Sequence, residues 1–199
     1  MRIWADYHTH TRYSHGTGKI EQNVQAAIKR GLRAIGISEH GPGNIGLRIR
    51  LEDFYKMRDE IERLKLKYTG IHILLGCEAN VISLDGDLDI SDDVLAILDY
   101  AMVGLHPLIW PRSLKDGFGL LVENILARTI ASKGLLEKVM EQNTIALIKA
   151  ISKNKIKIID SSIRKIFPVG TGDIFTIRMS IYRKTPMVKN NTPTKLQIT

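Results

Sequence analysis

The stretch Asp6-Tyr7-His8-Thr9-His10-Thr11-Arg12-Tyr13-Ser14-His15-Gly16 concentrates three imidazoles and one acid at the end of an apolar run. In an extended chain, residues i and i+2 share a face and stand roughly 6.5 Å apart, so Asp6, His8 and His10 project one way. Two imidazoles so placed can grip one cation with ring nitrogens at about 2.0–2.1 Å, while a carboxylate such as Asp6 orients them from outside the coordination shell. An isolated His-x-His is also met in surface turns, so the rest of the chain decides. Ile37-Ser38-Glu39-His40-Gly41, Gly76-Cys77-Glu78-Ala79-Asn80 and Gly104-Leu105-His106-Pro107 each set a ligand-type residue at the carboxyl end of an apolar run. Of the six histidines only His72 falls elsewhere, inside Ile71-His72-Ile73, where a packed or hydrogen-bonded structural role is expected. Mixed imidazole and carboxylate donors suit zinc, manganese or iron.

These ligands need elements that bring strand ends together. Short apolar runs alternate with amphipathic stretches, the βα repeat that builds a parallel sheet or barrel, with its site at the carboxyl ends of the strands. Strands are predicted over Arg2 to Thr9, Ala34 to Ser38, Ile71 to Val81, Tyr100 to Leu105 and Lys155 to Ile159. Helices are predicted over Gly18 to Arg30, closed by Gly31, over Leu51 to Tyr68, and over Asp92 to Leu98 behind a Ser91 cap. In the second, Leu51, Phe54, Tyr55, Ile61 and Leu64 lie near one stripe. Leu120 to Asn154 is mostly helical, with a break near Gly134. Asp85-Gly86-Asp87-Leu88-Asp89 resembles the start of a calcium loop but has Ile90 and Ala96 where that loop needs Gly and Glu, so a polar turn is expected.

The length of 199 residues suits one domain. No run approaches the ~18 apolar residues of a membrane span, and the start turns acidic at Asp6, so a cytoplasmic protein without a membrane partner is expected. Cys77 is the single cysteine, which excludes an intrachain disulfide. The net charge of +8 would suggest a nucleic-acid partner, but residues 1–149 hold 19 basic and 19 acidic residues, and the excess lies in 150–199, with 10 basic and 2 acidic. A neutral body argues against nucleic acid as partner. The residues give no indication of oligomeric state.

The segments D-x-H-x-H-T-x-x-S-H-G, S-E-H-G, G-x-E-A-N and G-L-H-P, running from Asp6 to Pro107, resemble the PHP (polymerase and histidinol phosphatase) family in type and order. The resemblance implies a distorted (βα)7 TIM-like barrel, here incomplete at its C-terminal end, and up to three divalent ions. It also implies that His8, His10 and Glu78 bind a first ion, Glu78 and His106 a second, and His15 and His40 a third, with Glu78 as bridge.

Adjacent divalent cations lower the pKa of a shared water and neutralise charge on a phosphoryl oxygen. The expected activity is therefore hydrolysis of phosphomonoesters by a metal-bound hydroxide, with His8, His10, Glu78 and His106 at the reacting centre and a small phosphorylated substrate. Arg12, Lys19, Arg48 and Arg50 lie in or near loops above the strands and are candidates for binding its phosphate. Alternatives are a phosphodiesterase or nuclease, and a catalytically impaired remnant or metal-binding module.

The last alternative follows from a break in the pattern. The family continues with a Thr-His-Pro-type histidine and an Asp-x-His pair, yet no histidine follows His106. Residues 1–159 are expected to form the barrel portion and 160–199 an aberrant basic tail without regular barrel strands. Ile158-Ile159-Asp160-Ser161-Ser162 stands where Ile-Ile-Thr-His-Pro is expected. Codons GAC-TCA-TCC for Asp160-Ser161-Ser162, read one base later with a following A, become ACT-CAT-CCA, which spells Thr-His-Pro. A shifted reading frame from Asp160 would account for the change, and the gene sequence tests it.

Overall fold

Apart from His72, the second and third apolar runs carry their polar residues only near their carboxyl ends, and they are covered on both faces, as strands of a parallel sheet must be. The computed structural model describes residues 3–106, 108–130, 132–154 and 158–159. β1 (Ala5–Thr9), β2 (Ala34–His40), β3 (His72–Asn80), β4 (Tyr100–Gly104) and β5 (Ile158–Ile159) form one all-parallel sheet in chain order. This is a mixed α/β fold with a parallel half-barrel. The expected tail at 160–199 and the closure of a seven-unit barrel lie outside the described residues. No described helix is long and apolar enough to cross a membrane.

The connecting helices form where periodicity and caps agree. α1 (Ile20–Lys29) buries Ile20, Val24 and Ala27 and ends as expected at Gly31, whose φ of 71° lets Leu32 N–H reach the Ala27 carbonyl at 3.0 Å. α2 (Leu51–Lys67) buries Phe54, Met57, Ile61 and Leu64. Tyr55, expected on that stripe, is exposed: the 3-4-3 spacing selects Met57, while Tyr55 lies about 100° around the helix from Phe54. α3 (Asp92–Ile97) is capped by the Ser91 hydroxyl, which accepts from Val94 N–H at 3.4 Å. The core lies between the sheet (Ile35, Ile37, Ile73, Leu75) and helices α1 and α2.

After β4 the helical region begins earlier than expected. α4 (Leu114–Gly117) leads through a π-helical turn (Phe118–Val122) into α5 (Glu123–Ile130), and α6 (Lys133–Asn154) follows. In the widened turn the Gly119 carbonyl accepts from Gln142 Nε2 at 3.1 Å. The break precedes Lys133, and Gly134 belongs to the first turn of α6, where Ser132 O accepts from Leu136 N–H. A glycine in a first turn costs little, so it does not interrupt the helix. The 85–89 segment is a turn against α6: Asp87 accepts from Ser83 Oγ at 2.8 Å and pairs with Lys153 and Arg112.

Candidate metal centre

The parallel sheet places His8, His10, His40, Glu78 and His106 at one rim. His8 lies in β1 and His10 just past its end; His40 closes β2, Glu78 stands two residues before the end of β3, and His106 lies two residues beyond β4. Register puts His40 directly beside Glu78. Between Asp6 and Thr9 the β1 register slips against β2, a local irregularity at the point where His8 turns toward the centre.

Glu78 is the hub, with its side chain only 2% exposed. Its Oε2 lies 3.1 Å from His8 Nε2, 3.4 Å from His10 Nε2 and 3.4 Å from His40 Nδ1, and its Oε1 lies 2.9 Å from His106 Nε2. His8 Nε2 and His10 Nε2 are 3.1 Å apart. Donors about 2.1 Å from a shared cation stand roughly 3.0 Å apart at right angles and roughly 3.4 Å apart in a tetrahedron. The measured spacings, 3.1 and 3.4 Å, therefore suit metal coordination. The buried His10, His40 and His106 Nδ1 atoms have no hydrogen-bond partner among the described residues. An unsatisfied buried polar atom costs about 1–3 kcal/mol, and for His40 Nδ1, facing Glu78, a cation removes that cost. The donors fit divalent metal.

Three sets of donor atoms lie within 4.8 Å of one another: His8, His10 and Glu78; His40, Glu78 and His106; and His10, His15 and His40. His40 thus joins Glu78 and His106, and His10 joins His15 and His40. Rings of His10 and His40 stack at 4.7 Å, and His15 lies 4.3 Å from His10.

A family model described as PHP domain matches residues 6–192. The chain belongs to the PHP domain family. The chain is also similar to a "Probable phosphatase" of Clostridium botulinum (strain Langeland / NCTC 10281 / Type F), 37% identical over 124 residues, which are 61% of this chain and 49% of the relative. One from Caldicellulosiruptor bescii is 35% identical over 112 residues, 56% of this chain and 45% of the relative. A third, from Thermoanaerobacter sp. (strain X514), is 29% identical over 170 residues, 85% and 58% respectively. This PHP chain spans about half the length of the relatives it matches.

Electrostatics in the PHP site follow from its burial. Burial pulls His10 down, but the carboxylates of Glu39 and Glu78 outweigh it and leave the ring at about 9. His40, where burial dominates, is lowered to about 4, and burial also lowers His15. Asp6 is exposed and accepts from the backbone N–H of His8 at 3.1 Å, so it acts on the chain rather than on a ring. Arg12, Lys19, Arg48 and Arg50 are exposed, and among the described residues none makes a polar contact with the cluster. Lys19 and Arg50 flank the starts of α1 and α2, where Gln22 and Asp53 accept their backbone N–H groups at 2.7 and 3.0 Å. His72 is exposed at the start of β3, far in sequence from the strand's functional end. The expected packed role fails because the strand's first residue projects from the covered sheet.

Two supports were not anticipated from sequence. Glu39, fully buried, accepts from Thr11 N–H at 2.7 Å and Thr11 Oγ1 at 2.6 Å, and from Ser14 Oγ. Asp89, held acidic-side inward where burial raises its carboxyl, accepts from Gly43 N–H at 2.7 Å and Asn80 N–H at 2.8 Å. It thereby braces the chain just after His40 and just after Glu78. A glutamate between Ser38 and His40 gave a possible signal, since a buried carboxylate needs several donors. Asp89 gave none.

Proposed function

We propose that this chain is a metal-dependent phosphoesterase acting on phosphomonoesters. The observation that carries the reading is one buried carboxylate, Glu78, facing four imidazoles from three other strand ends. Divalent cations bound there would acidify a water ligand and offset charge on a phosphoryl oxygen. The chain's own part is to fix the donors. Glu78 belongs to two of the three sets and couples them, and the half-buried His10, His40 and His106 present ring nitrogens from fixed strand ends. His8, 35% exposed, and the exposed His15 mark the open side where a small phosphorylated substrate enters. Arg12, between these two residues in the chain, and Lys19, Arg48 and Arg50 beyond them are the cations that would hold its phosphate. The family match and the names of the relatives support this class of reaction.

The absence of any histidine after His106 favours a second reading, a PHP chain that binds metal but turns over poorly. Hydrolysis of p-nitrophenyl phosphate with manganese or zinc, against a His8→Ala control, separates the two. Metal-dependent turnover by the wild type that falls at least a hundredfold in the variant supports the phosphoesterase; turnover equal in both, or none, refutes it.

A further inference from the structure

Glu39 is a carboxylate without a role in any donor set, yet it is as deeply buried as the core. A buried anion is stable only when hydrogen bonds replace its water. Here all three come from one short loop: Thr11 N–H and Thr11 Oγ1 on Oε1, and Ser14 Oγ on Oε2. That loop separates His10 from His15. It is tight, with Ser14 N–H and Gly16 N–H both donating to the Thr11 carbonyl at 3.2 and 2.9 Å. A Cβ on Gly16 would stand 2.6 Å from the His10 carbonyl carbon, so the turn closes only with glycine there. The loop therefore has little freedom of its own, and its anchor is Glu39.

The second oxygen of Glu39 points at the site. Oε2 lies 3.8 Å from His10 Nδ1, a buried nitrogen without a hydrogen-bond partner among the described residues, while the opposite nitrogen of the same ring faces His8 and Glu78. A carboxylate behind a metal-ligating histidine fixes which nitrogen the ring presents and strengthens it as a donor. We propose that Glu39 is a positioning residue of the metal centre, holding His10 with Nε2 turned to His8 and Glu78 and fixing the loop that sets His15 beside it. This rests on the reading that the cluster binds cations.

Glu39→Gln tests it, because glutamine keeps the size and the acceptor for Thr11 while removing the charge. Zinc titration of wild type and variant is paired with 15N spectra of the histidine rings. We expect the variant to bind zinc 10- to 100-fold more weakly, with the His10 ring no longer held in a single tautomer. Equal zinc affinity and an unchanged His10 tautomer overturn the proposal. Should the variant not fold, zinc-loaded wild type decides alone: a proton on His10 Nδ1 supports the proposal, and a proton on Nε2 overturns it. A wild type that takes up no zinc overturns the metal reading, and this inference with it.

Discussion

Replacing Glu78 by glutamine should separate a metal centre from a merely histidine-rich cleft. Glutamine preserves the volume of a side chain that is 2% exposed, so packing against β2 and β4 is retained. What changes is charge and one acceptor. Both carboxylate oxygens are engaged, Oε2 within 3.4 Å of three imidazoles and Oε1 2.9 Å from His106 Nε2, and an amide can present an acceptor on one side only. Loss of a group that merely orients a ligand costs 10- to 100-fold in affinity. Glu78 itself is a donor in two sets and the sole anion in each, so each of these cations should bind at least a hundredfold more weakly, about 2.7 kcal/mol. Calorimetric zinc titration with a competing chelator measures it, with melting of the metal-free proteins as control for folding. Affinities within threefold of wild type, with unchanged stoichiometry, would refute the assignment of Glu78 as hub.

Three further outcomes follow from the same geometry. His15 belongs to one donor set, so His15→Ala should lower zinc stoichiometry by one while leaving the remaining affinity within threefold; tight binding of the full complement counts against that set. His10, held at about 9 against its burial by Glu39 and Glu78, carries a proton at pH 7 that a cation must displace, whereas His40, at about 4, is already neutral. Zinc affinity should therefore rise with pH up to about 9, with roughly one proton released per cation at His10, read from binding enthalpies in buffers of different ionisation heat. In Gly36→Ala the new methyl would overlap the buried Tyr100 phenol, which is fixed by donating to the Tyr7 carbonyl at 2.6 Å. Urea unfolding should show a loss of about 1–3 kcal/mol.

Much of this was legible in the residues because parallel strands convert local signals into a shared rim. Ligand-type residues at the ends of apolar runs suffice to place His8, His10, His40, Glu78 and His106 together once the βα alternation is recognised. The strands and the first three helices were readable for the same reason, since period and capping agree at Gly31 and Ser91. Tyr55 and His72 were misjudged because composition alone does not say which side of a helix or which end of a strand is covered. Each of the three donor groups contains one of the expected sets, His8 with His10 and Glu78, Glu78 with His106, and His15 with His40; that His40 also stands near the second and His10 near the third depends on ring orientation. Glu39 offered only its place between Ser38 and His40, and Asp89 nothing, because their partners on Thr11, Ser14, Gly43 and Asn80 are mostly backbone N–H or hydroxyl groups, which leave no pattern in the sequence.

The order of the sheet has a consequence for how the site tolerates erosion. Among the described strands each neighbour in space is also the neighbour in the chain, so donors accumulate one βα unit at a time, and the hub carboxylate sits on the middle one of the five described. Histidines approach it from the two units before and from the one after. Trimming from either margin removes outlying donors while the midpoint keeps company on its other flank, so capacity for cations should fade by degrees, strand by strand, instead of vanishing at the first loss.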